Sequence, residues 1–93
     1  MRFVWDEAKR KSNLAKHGYD FADVYRVFDG FFLRYEDLRY QFDEQRMIAL
    51  GQLDAVVVVV VHVENDESIR IISLRRADKH ETNLYFQNLG TTR

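Results

Sequence analysis

Three arginines crowd the stretch Ser68 to Ala77, and they are the residues of this chain best suited to chemistry. Arg70 interrupts a β-branched run of Ile69, Ile71 and Ile72, and Arg75-Arg76 follow at its end. Strand alternation puts Arg70, Ile72 and Leu74 on one face and Ile69, Ile71 and Ser73 on the other. A guanidinium on a mainly buried strand needs an anion, because an unpaired buried charge is costly. The anion is either a carboxylate of this chain, such as Glu44 or Glu81, or a phosphate. For Arg70 alone an internal salt bridge reads as well as a phosphate; Arg75 and Arg76 close behind add weight to the phosphate.

Cleaving a phosphodiester of RNA requires a base for the ribose 2′-hydroxyl, cations for the charged phosphorane and an acid for the leaving oxygen. Arg70, Arg75 and Arg76 can supply the cations. Glu44, Glu81, His62 or Lys79 can move protons, and Tyr35 or Tyr85 can stack on an unpaired base. These residues are compatible with a ribonuclease without singling one out. There is no phosphate-binding glycine loop, no nucleophile elbow and no metal-ligand spacing, so the sequence calls for neither a metal nor a cofactor. His17 reads most simply as a helix-end residue and His62 as a hydrogen-bonded core residue of a valine strand.

The elements that must position these groups fit one small domain over residues 1–93, with 90–93 frayed. The chain is 46% hydrophobic and 14% aromatic, which excludes disorder, and it has no cysteine and no proline. The valine run at 56–61 is too short to cross a bilayer, and a reducing cytoplasm fits the absence of cysteine. The net charge is −1 but unevenly spread, with +3 over residues 1–18, −4 over 19–44 and 0 over 45–93. A small basic groove is therefore possible on a chain that is not basic overall.

Residues 2–5 read as a strand. Asp6 caps a helix from Glu7 to His17 that Gly18 ends, with Ala8, Ser12 and Ala15 as its narrow inner face. Asp20 starts a second helix, with Phe21, Val24, Tyr25 and Phe28 as its stripe, and Gly30 stops it. Residues 31–33 and 39–42 look like pieces of strand around a Glu36-Asp37 turn. Gln45–Leu50 reads as a strand, Gly51–Asp54 as a hairpin turn, and 55–63 as a central strand buried on both faces. After the Arg70 strand, Asp78 and Glu81 form a capping box for a last helix. The order gives an α+β two-layer domain, a helix pair packed on an antiparallel sheet with a C-terminal helix.

Beside this reading stands a family resemblance. Phe3-Val4-Trp5-Asp6, Lys9, Asn13, Lys16-His17-Gly18, Phe21 and Val27-Phe28-Asp29 resemble the N-terminal signature of the BrnT toxins. Asp43 to Arg46, Gly51, Arg70 to Ser73, Arg75 to Ala77, Glu81 and Tyr85 are similar to the second half, while Leu74 and Tyr19 depart from it. The resemblance implies a RelE-like fold and a type II toxin that cuts RNA without a metal. It also implies a ribbon-helix-helix antitoxin, through which alone the complex meets operator DNA. Carried over by position, the active-site set is Arg46, Arg70, Ser73, Arg75, Arg76, Glu81 and Tyr85, with Lys16 and His17 as additions; the resemblance does not divide roles among them. With Lys79, read from the residues themselves, the expected catalytic residues are Arg70, Ser73, Arg75, Arg76 and Glu81, and the expected RNA-binding residues are Arg46, Lys16, His17, Lys79 and Tyr85. A non-catalytic RNA- or protein-binding module, or an inactive toxin serving as a co-repressor, is the alternative.

Overall fold

The computed structural model describes residues 1–39 and 43–89. Its elements run β1 (Arg2–Val4), α1 (Glu7–His17), a single 3₁₀ turn (Phe21–Asp23), α2 (Tyr25–Asp29), β2 (Phe32–Glu36), β3 (Met47–Leu53), β4 (Val56–Glu64), β5 (Ser68–Arg76) and α3 (Lys79–Leu89). One five-stranded sheet carries them in the order β1-β5-β4-β3-β2. It is an α+β fold, antiparallel from β2 to β5, as the hairpin pattern of the sequence implies. β1 adds a parallel edge, Phe3 pairing with Ile69, so the sheet as a whole is mixed. Among the described residues no helix is long and apolar enough to cross a membrane.

Both faces of the sheet are covered, which is why β4 could be almost pure valine. On one face α1 lies over β5 and α2 over β3. Phe21, Val24 and Val27 pack there on Ala49, Val58, Val60, Ile71 and Leu74. On the other face Tyr85 of α3, and Ala77 between β5 and α3, pack with Leu50, Val57 and Val59. Gly51 lies within β3, not in the hairpin turn expected of it. A Cβ there would stand 2.6 Å from Val27 Cγ1, so the close approach of α2 demands glycine. The turn is Asp54-Ala55, with Asp54 at φ 58°, a left-handed position that aspartate tolerates.

The N-terminal helix begins and ends as its sequence predicts. Asp6 accepts from the N–H groups of Ala8 and Lys9, and Gly18, at φ 79°, closes the far end. Its inner face does not follow the prediction. Ala8, Ser12 and Ala15 are exposed, and the helix's buried residue is Asn13. The second helix is also shorter than expected. Asp20 caps the 3₁₀ turn, one turn of α-helix follows, and Tyr25 is left half-exposed. β2 continues to Glu36, through the start of the expected turn, and 40–42, where a strand piece was expected, lie outside the described residues.

The alternation read along β5 fails at one point. Val61 pairs with Ser73 but His62 pairs with Ile71, so Ile72 is an extra residue, a β-bulge. Leu74 therefore joins Ile69 and Ile71 on the α1/α2 face. Arg70, Ser73 and Arg75, paired with Val63, Val61 and Val59, share the α3 face. Without the bulge Arg70 and Arg75 would point to opposite sides of the sheet.

Candidate active site

The bulge puts Arg70 and Arg75 on the face of the sheet that carries α3. Arg75 donates from both terminal nitrogens to Glu81, at 2.9 and 2.8 Å. Glu81 is placed by the capping box that opens α3. Its Oε1 accepts from the Asp78 N–H at 2.9 Å, and its own N–H donates to Asp78 Oδ1 at 2.8 Å. One carboxylate thus starts the helix and orients the arginine. Hydrogen bonding to Arg75 holds Glu81 below the usual carboxylate range and raises the affinity of Arg75 for its proton. Both groups stay charged throughout the physiological range.

Other charged groups share this side of the sheet, and of them Asp37 and Arg39 carried no expected role. Arg39 donates to both oxygens of the buried Asp37 at 2.9 Å, and its charge reaches Arg75 and Glu81. The charge of half-buried Arg46 helps lower Asp37, after the larger effect of Arg39. Tyr35, which pairs with Ile48 on this face, has its hydroxyl pKa pushed up by burial and by Glu81. Arg70 is ion-paired with Glu44, the carboxylate expected of an internal salt bridge. The pair is not deep in the core, since the two side chains are 35% and 52% exposed.

The other expected site residues separate from this cluster. Arg76 pairs with Val58 and so belongs to the opposite face, exposed at the strand end. Tyr85 is 2% exposed, and its hydroxyl donates to the Phe31 carbonyl at 3.2 Å, so it packs α3 onto the sheet and offers no ring to a base. Lys79 is exposed on the first turn of α3. Ser73, Lys16 and His17 meet one another, but at a different opening, between α1 and the edge of β5. His62 is fully buried on the α1/α2 face, with Nε2 2.9 Å from Glu64 and its ring edge-on to Phe28. It is the hydrogen-bonded core histidine that the sequence suggests.

Asn13 carried no assigned role, and its setting explains its burial. β1 pairs with β5 only as far as Arg70, so the outer edge beyond lacks a neighbouring strand. There the Asn13 amide donates to the Leu74 carbonyl at 2.7 Å, and its oxygen accepts from the Leu74 N–H at 3.1 Å. A second bond from the amide reaches the Tyr19 carbonyl at 3.2 Å. One side chain does the work of the missing strand between Ser73 and Arg75. The sequence signal was an asparagine in mid-helix, a type that is seldom there for propensity.

A family model described as ribonuclease toxin, BrnT, of type II toxin-antitoxin system matches residues 5–81. The chain belongs to the BrnT family. No curated protein matches it. As a BrnT-family protein it has RNA as its target and an antitoxin as its partner. The matched span starts at Trp5 and ends at Glu81, so it takes in Asn13, Tyr35, Asp37, Arg39, Glu44, Arg46, Arg70 and Arg75. Of the last helix it includes only the first turn, the part that orients Arg75.

Proposed function

We propose that this BrnT-family chain is a cytoplasmic endoribonuclease that works without a metal, and that a ribbon-helix-helix antitoxin neutralises it and carries it to operator DNA. The observation that carries the reading is the two-point grip of Glu81 on Arg75 in an open cluster of further arginines. A guanidinium held in one orientation is suited to the spread negative charge of a pentavalent phosphorane. In this mechanism the RNA 2′-hydroxyl oxygen attacks the adjacent phosphorus and the 5′-oxygen leaves, giving a 2′,3′-cyclic phosphate. Arg75 holds the phosphorane with Arg39 near it, and Arg70 lies further along β5 on the same face.

Glu81 acts on Arg75 rather than on the substrate. Its oxygens are already occupied by Arg75 and the Asp78 N–H, and its lowered pKa makes it a poor proton acceptor. The Tyr35 hydroxyl, kept protonated by burial, is the donor proposed for the leaving oxygen. When an RNA phosphate takes Arg70, Glu44 is released beside the substrate and can accept the 2′-hydroxyl proton.

A second reading has its own support. The histidine on the sheet, His62, lies on the opposite face from the cluster, and Arg39, Arg70 and Arg75 each have a carboxylate partner. Such a surface also suits a binding module, or an inactive toxin kept as a co-repressor. Incubating the purified chain with single-stranded RNA in excess EDTA separates the two. Fragments ending in 2′,3′-cyclic or 3′-phosphate are expected. Binding without cleavage would establish the second reading, and cleavage that returns only with Mg²⁺ or Mn²⁺ would overturn metal independence.

A further inference from the structure

Outside the arginine cluster, α1 carries a polar, basic stripe beside the edge of β5. Lys9, Ser12, Asn13, Lys16 and His17 recur at helical spacing; Asn13 is buried, His17 is half-buried, and the other three are exposed. Asn13 inserts into the edge of β5, and the others line an open cavity of about 210 Å³ together with Ile72 and Ser73. No carboxylate among the described residues lines this cavity. Among the described residues Lys9, Lys16 and His17 have no acidic partner, whereas Arg10 on the neighbouring side of the same helix is held by Asp20 and Glu7. Lysines left without carboxylates around two hydroxyls attract an anion, and the hydroxyls can donate to its oxygens.

Ser73 ties this cavity to the cluster. It stands on β5 between Arg70 and Arg75, and the bulge gives all three the same face. A polyanion held by Arg75 that continues over the free edge of β5 passes Ser73 and enters the cavity. We infer that Lys9, Lys16 and His17, with Ser12 and Ser73, form a second phosphate subsite, which holds an RNA phosphate away from the scissile one. This rests on the ribonuclease reading for its substrate and adds how that substrate is held. The subsite contributes to binding and not to the chemical step, so it acts only on RNA long enough to span both openings.

The test compares wild type with the double variant Lys9→Ala, Lys16→Ala on oligoribonucleotides from two to ten nucleotides. Both lysines are exposed, and circular dichroism checks that the variant is folded. On long substrates KM is expected to rise about tenfold with kcat unchanged, and on the dinucleotide the two proteins should be alike. The salt dependence of binding should weaken by about 0.7 in log–log slope for each phosphate no longer neutralised. A variant with wild-type KM and slope on long RNA overturns the subsite, as does an equal loss at every length. If wild type cleaves nothing, binding of 2′-O-methyl oligonucleotides of the same lengths still decides it. A length-dependent loss of affinity then supports the subsite although the ribonuclease reading has failed. Weakened binding of the antitoxin with unchanged binding of RNA would overturn it.

Discussion

Two openings flank β5, and they handle their cations in opposite ways. In the α3-side cluster Arg75, Arg70 and Arg39 each lie against a carboxylate, and Arg75 is held at two points. At the α1 edge Lys9, Lys16 and His17 line a cavity without an acidic group among the described residues. A planar guanidinium clamped by a carboxylate is fixed in direction, and its charge is largely balanced until a phosphate competes for it. A lysine without a partner keeps its whole field and no fixed direction. The first arrangement suits a step in which charge develops at a defined point, and the second suits attraction and holding. A small chain of net charge −1 can thus hold RNA by local imbalance, with no need to be basic overall.

The sharpest way to break this comparison is Arg75→Ala. Losing the oriented cation should lower kcat by about two to three orders of magnitude, or about 2.7–4 kcal/mol of transition-state stabilisation, with little change in KM. Arg75→Lys should rescue little, since an ammonium cannot take the two-point grip of Glu81. Single-turnover kinetics on a short RNA measure both. A loss confined to KM would mean that Arg75 merely attracts RNA, as the edge lysines do.

Asn13→Ala should have the next largest effect, this time on stability. It leaves the N–H and carbonyl of Leu74 without their partner in a buried place, a loss of about 2–3 kcal/mol. Urea unfolding measures it. A shift under 0.5 kcal/mol would show that the β5 edge does not depend on the side chain.

Glu81→Gln sharpens the contrast from the other side. The amide oxygen can still accept from Asp78, so α3 should keep most of its start while Arg75 loses its ionic partner. About a tenfold fall in kcat with a stability loss of about 1 kcal/mol is expected. Activity equal to wild type would remove orientation from the account of Arg75.

Acid gives the smallest effect. On the α1/α2 face Arg34 and His62 bind Glu64, and Arg34 in particular lowers the Glu64 pKa to about 2. Because the folded pKa lies below the unfolded one, the stability is fully present above about pH 4.5 and is lost as pH falls towards 2. Solvent screening reduces it to about 1 kcal/mol. Chemical denaturation across that range should show the loss in wild type and a flatter profile in Glu64→Gln; parallel profiles would refute the assignment.

Local signals in the sequence were read correctly, because their causes lie within a few residues. Asp6 and Gly18 bound α1, Asp78 and Glu81 start α3, and the valine run lies between two covered faces. Signals that depend on a distant partner were not legible. The bulge at Ile72 arises from how β5 meets β4, and nothing in Arg70 to Arg75 announces it. Gly51 looked like a turn because glycine often is one, yet its reason is Val27 of another element. Tyr85 and Arg76 sat beside chemically suggestive neighbours, but burial and strand phase took them elsewhere. Arg39 and Asp37 were passed over because their importance lies in reaching Arg75 and Glu81 across the fold.

The parallel edge strand has a consequence for how the protein is made. Phe3 waits for Ile69, so β1 has no sheet partner until β5 has been made. Arg75 in turn is aimed by Glu81, which emerges later still. A nascent chain therefore carries Arg75 unaimed until Glu81 has followed it.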